Sequence, residues 1–164
     1  SIRGDGNFFC NGVLMPYYKE FGIDGIKAME RSVCTGMHPA EMVKMAGKGA
    51  AGSPAIHILP YFFAKTKRRM DKTEIIWPSD GALISPVTML VKKEKVDEVR
   101  EITDFLTGTR LGNVFSKALF PSVHPDVENE FDGDRIIKWL GWDYMKNNDL
   151  SKIKQTIKAN FHPF

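Results

Sequence analysis

The run EIIWPSDGALISPVTMLVKKEKVDEVREITDFLTG, residues 74 to 108, sets the fold expected of this chain. Its grammar is strand, turn, strand, helix. Glu74 to Trp77 is a short apolar run with β-branched residues. Pro78-Ser79-Asp80-Gly81 is a turn cluster in which Gly81 is free to take a positive φ. Leu83 to Val91 is a second apolar run, interrupted at Pro86. Val96, Val99, Ile102, Phe105 and Leu106 then recur at helical spacing, and Gly108 supplies a stop. A strand that breaks at Pro and Gly, re-forms and feeds an amphipathic helix can serve as a hinge between two packed units.

Helices are expected on the N-terminal side of that run. Asn7 is placed to cap one that ends at Gly22, although Pro16 moves its start toward Gly12. A second follows from Asp24 through Ile26, Met29 and Val33. Pro39 fits a first helical position, which makes His38 the cap of a third helix carrying Met42, Val43 and Met45 up to Gly47. Residues 48–53 are glycine-rich but lack phosphate-loop spacing. Pro54 to Leu59 reads as a buried strand, with His57 a core histidine within it, and Tyr61-Phe62-Phe63-Ala64 opens a further helical turn. After Gly108, Leu111, Val114, Phe115 and Leu119 mark another helix. Leu150, Ile153, Ile157 and Phe161 form the stripe of a last one, capped by Asp149 or Ser151. Strands alternating with helices define the α/β class.

Composition bounds the function. The 164 residues are 43% apolar and 26% charged, a globular balance, and no apolar run approaches the roughly 20 residues that span a bilayer. The net charge of +3 is unevenly spread: 11 basic residues stand against 6 acidic ones up to Thr73, and 12 against 14 after it. The only dense basic cluster, residues 65–69 with Lys72 nearby, has no aromatic residue interleaved. It reads as a solvated loop and not as a nucleic-acid surface. Cys10 and Cys34 are too few for a disulfide scaffold or a zinc site; they are buried free thiols or, in an exported protein, one bridge. Catalytic, dinucleotide and zinc motifs are missing, and the four histidines are scattered. The sequence therefore points to no enzyme, no cofactor and no metal centre.

Four stretches in order resemble a known family. Residues 4–7 (GDGN), followed by a helix closing on residues 18–22 (YKEFG), look like a crossing segment and the first helix of a second lobe. Residues 38–41 (HPAE) look like the family's Ser/His-Pro-x-Gln/Glu helix start. Residues 55–61 (AIHILPY) look like its pocket strand with a closing tyrosine. The run from Trp77 to Gly108 looks like its Tyr-Pro-x-Asp-Gly hinge, returning strand and covering helix. Together they resemble the type 2 periplasmic solute-binding proteins of ABC transporters, the group of ferric-iron, thiamine and oxyanion binders. The resemblance covers about residues 4 to 127 and leaves the tail from Trp139 unplaced.

The resemblance implies an α/β, periplasmic-binding-protein-like fold with a sheet flanked by helices. Residues 1–73 would be the second-lobe ligand-binding region, 74–92 the hinge and return strands, and 93–164 a carboxy-terminal helical region. It also implies that a first lobe precedes this stretch, with an export signal or lipid anchor, in the periplasm or outside the cell. The function implied is capture of a small solute in a cleft between lobes for a membrane permease. A ligand-sensing domain of a transcription regulator is the alternative, since it uses the same fold. Ligand contacts would fall to Asn7 (amide donor, or only a helix cap), His38 (ligand-facing, or only a cap), Tyr61 (a phenol at the pocket wall, or core) and Asp80 (facing the cleft, or only shaping its turn). Helix N-termini near Asn7 and His38 favour anions. Iron binders of the group carry adjacent tyrosines where this chain has Tyr61-Phe62-Phe63, and a single phenol argues against direct iron ligation. With the first lobe absent, apolar positions such as Trp77 or Met89 would be exposed and would favour a homodimer of the chain or a swapped strand.

Overall fold

A computed structural model describes residues 9–66, 71–130 and 135–162. Asn7, the turn at residues 4–6 and most of the basic cluster (residues 67–69) lie outside them. The chain forms two compact units, one from residues 1–86 with Ile136–Phe164, the other Val87–Arg135.

The first unit is built on helix α1, Met15–Ser32, entered through one π-helical turn at Cys10–Leu14. The Met15 N–H donates to the Cys10 carbonyl, five residues back, immediately before Pro16. Proline has no N–H for the carbonyl four residues behind it, and the wider turn absorbs that misfit at the helix entrance. At Gly22 the helix breaks, with φ 61° and ψ −160°, a conformation open to glycine and strained for a residue with a Cβ. The sequence expectation of two helices meeting at Gly22 is met. Helix α2, Pro39–Met45, starts on His38, whose Nδ1 accepts from the Ala40 N–H at 3.2 Å, with Pro39 in the first turn. Helix α3, Tyr61–Ala64, is a single turn packed beside α2.

Strands β1 (Ala82–Leu83) and β2 (Ile137–Lys138) pair in parallel, Ala82 opposite Ile137 and Leu83 opposite Lys138. Ala82 N–H donates to Ile136 O at 3.0 Å and Ile84 N–H to Lys138 O at 2.7 Å. Gly81 takes φ 111°, the positive value expected of its turn. Helices α6 (Trp142–Asn147) and α7 (Leu150–Lys158) follow the sheet within the same unit. Asp149 caps α7 by accepting from the Lys152 N–H at 3.0 Å. Its Ile157 is fully buried with Ile26 in a core shared with Phe9, Cys10, Leu14, Met15, Leu140 and Phe161. Positions 150, 153 and 157 lie on one side of a 3.6-residue helix, so one stripe meets the core while Lys152 and Lys158 stay exposed.

Three strand expectations are corrected, the first at residues 74–77, which are not in a strand. Residues 54–59 are not in a strand, and Ile56 is 71% exposed. Prolines at 54 and 60 bracket the run, and the only strand pair among the described residues lies elsewhere. The run from Leu83 to Val91 pairs only at its start. Beyond Pro86, which has no N–H to donate, it leaves the ladder and Val87 is 99% exposed.

In the second unit a 3₁₀ turn at Lys93–Lys95 precedes helices α4 (Arg100–Thr107) and α5 (Thr109–Lys117), which Gly108 separates. The helix expected from Val96 thus begins four residues later. Exposed ion pairs Lys95–Glu98 and Arg100–Asp97 lie across this entrance. Ile102, Phe105 and Leu106 share one face of α4, and all three are exposed. On α5 the inward positions are Gly112 and Ser116. Ser116 Oγ donates to Glu128 O and accepts from the Glu130 N–H, both at 2.9 Å. Asn129 closes the same loop, accepting from the Ser122 N–H at 2.7 Å and donating to Ser122 O at 3.0 Å.

Candidate functional site

The site candidates are placed by short local signals. Pro39 fixes the backbone at the start of α2, and the extended His38 before it turns its ring back over the first turn. The His38 ring then meets Phe63 of α3 edge to face, with centroids 5.9 Å apart. Phe62 and Phe63 are in ring contact at 4.4 Å. Tyr61, first in the same turn, packs edge to face on Trp77 at 5.6 Å, and the Lys65 ammonium lies 5.3 Å from its ring centroid. Trp77 is anchored by its indole N–H, which donates to Ile136 O at 2.9 Å. His38 and Tyr61 thus lie along one aromatic row built from α2, α3 and the segment before the Pro78 turn.

Asp80 stands three residues beyond Trp77, on that turn. Its carboxylate accepts from Lys138 Nζ at 2.8 Å, and the same ammonium reaches Glu20 of α1 at 3.4 Å. The hydrogen bond from Lys138 holds the Asp80 carboxyl below its ordinary value, and Asp80 in turn pushes the Lys138 ammonium up. Lys19, beside Glu20, donates to Leu140 O at 3.0 Å and lies over the Tyr144 ring. β2 and the segment after it are therefore held from α1 by two consecutive side chains. Asp80 is an ion-pair partner at the strand crossing. Among the four candidates, His38 and Tyr61 share the aromatic row, Asp80 joins it only through the chain, and Asn7 lies outside the described residues.

Among the described residues the other titratable groups define no second centre. His57 is half-buried, and that burial lowers its pKa. Cys10 is buried, which raises its thiol pKa, whereas Cys34 is exposed; both are free thiols. Among the described residues no group of three or more His, Cys, Asp or Glu side chains could hold a metal ion. None of their helices is long and apolar enough to cross a membrane.

Residues 1–148 match the family described as bacterial extracellular solute-binding protein, and the chain belongs to that family. Neither a curated protein nor a solved structure matches it. The family implies a periplasmic-binding-protein-like fold, and this helix-rich chain with a small parallel sheet is consistent with it. It also implies a small-molecule ligand, a transport permease as general partner, a location outside the cytoplasmic membrane, and binding as the general activity.

Sequence reasoning did not single out Lys138, Glu20 or Lys65. Lys138 lies 58 residues from Asp80 and Glu20 lies 118 residues from Lys138, separations at which no spacing rule operates. Lys65 was legible only as the first residue of a basic cluster.

The Asp80–Lys138 pair carries a pH prediction. Asp80 has a depressed folded pKa, so its stabilisation is present above the unfolded carboxylate value and is lost as pH falls through the folded one. Lys138 has a raised folded pKa, so its share is complete below the unfolded ammonium value and is lost as pH rises through the folded one. The pair is therefore intact across neutral pH. Lys138→Met is expected to flatten the acid side of the stability profile and to reduce the loss of stability on adding salt. Unfolding midpoints measured from pH 7 down to pH 3 check this; parallel acid limbs for the two proteins would refute it.

Proposed function

We propose that this chain is part of the substrate-binding component of an ABC transporter, of the type 2 class, and that it captures a small solute in a cleft between lobes for delivery to a permease. The solute classes that fit are an anion, a metal complex or a small organic molecule. The observation that carries the reading is the family match over residues 1–148. The aromatic row with His38 and Tyr61 supports it, since ligand sites are lined mainly by apolar and aromatic side chains with a few placed polar groups. In this reading His38 and Tyr61 face the solute, Asn7 donates its amide, and Asp80 is a hinge residue facing the cleft, its carboxylate paired with Lys138. The division into a ligand-binding region (1–73), hinge and return strands (74–92) and a helical region (93–164) goes with it, as does location in the periplasm or at the cell surface.

A thermal-shift screen tests the reading. This chain, and any longer product of its gene, is heated with ferric citrate, with sulfate and phosphate, and with small organic acids. One class is expected to raise the unfolding midpoint in a concentration-dependent way, because a ligand that binds only the folded state adds about 2.7 kcal/mol at a hundredfold excess over Kd. If neither protein responds to any class, solute capture is wrong. The exposed apolar residues of α4 also support self-association of the isolated chain. It would appear in the same samples as a sedimentation mass rising with concentration.

A further inference from the structure

Residues 87–91 read Val-Thr-Met-Leu-Val, β-branched and aliphatic residues of the kind that favour strands. They lie in no helix or strand. Val87 is 99% exposed, Leu90 93% and Met89 44%, and Thr88 is exposed with them. Among the described residues no hydrogen bond involves any of the five. Loops are ordinarily polar. This one offers apolar side chains together with a row of open N–H and C=O groups, the combination that recruits a further strand. The residues that limit such pairing stand only at its ends: Pro86 before it, Lys92 and Lys93 after it.

We infer that residues 87–91 are a pairing strand whose partner is the same run in a second copy of this chain, laid antiparallel about Met89. The inference goes beyond solute capture and gives the self-association proposed above a surface and a register. Charge selects both the partner and the direction. The run is uncharged, so a charged partner strand would be desolvated against it with nothing to pair. A second copy brings no such charge. With the two runs antiparallel about Met89, Val87 lies across from the partner's Val91 and Thr88 across from the partner's Leu90, so every cross-strand pair is neutral. Lys92 then lies across from the partner's Pro86. The two Lys92 residues fall at opposite ends of the pair, six residues or about 20 Å apart. Parallel pairing would set them side by side, where like charges repel. In this register Val87, Met89 and Val91 turn their N–H and C=O groups to the partner. Pro86, one residue out of phase, has no N–H to supply there.

The test uses the 164-residue chain in sedimentation equilibrium at rising concentration. Its mass is expected to climb from 18.5 kDa toward twice that value and to stop there. Leu90→Lys should weaken association by about tenfold with the unfolding midpoint unchanged, because the side chain it replaces is exposed. Phe105→Glu, on the exposed face of α4, should weaken it less. Cysteine crosslinking reads the register, in a Cys34→Ser background because Cys34 is exposed and Cys10 is buried. Met89→Cys should crosslink to itself. Val87→Cys should crosslink to Val91→Cys in a mixed sample, and neither should crosslink to itself. The inference is overturned if the chain stays monomeric at every concentration, if the mass grows past the dimer, if Leu90→Lys associates as the parent does, or if Val87→Cys crosslinks to itself as readily as Met89→Cys does. A dimer that survives Leu90→Lys would sink this strand pairing and leave self-association standing on another face. A monomer would end both, and solute capture is decided separately by the thermal-shift screen.

Discussion

Ile157→Ala is expected to lower the unfolding free energy by about 2–5 kcal/mol, the cost of removing buried methyl groups and leaving a cavity. Ile157 is fully buried and joins α7 to the core formed by the π-helical turn, Met15 and Ile26. The helix is nine residues long, too short to hold itself in water, so its order depends on this stripe. Trp139 and Trp142, in edge-to-face contact at 5.2 Å, belong to the same unit and report its unfolding by fluorescence in urea. Ile76→Ala is the control. That side chain is 77% exposed in the same unit, and its removal should cost within about 0.5 kcal/mol. Equal midpoints for the two variants would show that the core is not where the structure puts it.

Gly81→Ala is expected to be the second costly change, although it adds one methyl group. Gly81 has φ 111°, and a Cβ there would lie 2.9 Å from Ile136 Cγ2, 3.0 Å from Lys138 Cγ and 3.3 Å from Ile136 O. The backbone conformation alone costs a residue with a Cβ on the order of 1–3 kcal/mol. The 2.9 Å approach to the branched Ile136 side chain adds to that, and the Ile136 carbonyl at 3.3 Å, held by the strand pairing, has little room to give. The damage should concentrate on the parallel pair, since Ala82 donates to the same Ile136 carbonyl. Hydrogen exchange is the direct measurement: the Ala82 and Ile84 amides should lose protection in Gly81→Ala while amides within α7 keep theirs. Gly49→Ala is the comparison. It also sits at positive φ, but nothing lies within 4 Å of its added Cβ, so it should carry the backbone cost without loss of protection at the strands. Unchanged protection at Ala82 and Ile84 would refute the argument.

Much of the local grammar was legible before any coordinates. The caps His38 and Asp149, the break at Gly22, the positive φ of Gly81 and the stop at Gly108 all follow from the residues themselves. Each depends on hydrogen bonds and backbone sterics within about four residues, and that is the range a sequence pattern covers. The stripe of α7 was legible for the same reason. The strands were not. Apolar, β-branched runs at 54–59 and 83–91 resemble strands because strand character lies in what a segment pairs with, and no pattern within the run names a partner. The site was legible in part: His38 and Tyr61 share an aromatic row, but the ammonium groups that give it and the neighbouring turn their charge came from elsewhere.

The sequence by itself determined several helix caps and stops, which turn needs glycine, and the family to which the ordered motifs point. The tertiary structure alone decided that Ala82 and Leu83 pair with Ile137 and Lys138, and that one lysine holds carboxylates from α1 and the Pro78 turn. It also decided that three consecutive aromatic residues are half-buried, with Tyr61 against Trp77. The reason is one of range. Caps and turns are settled by neighbours along the chain, whereas pairing, ion contacts and burial are settled by residues brought together only when the whole unit packs.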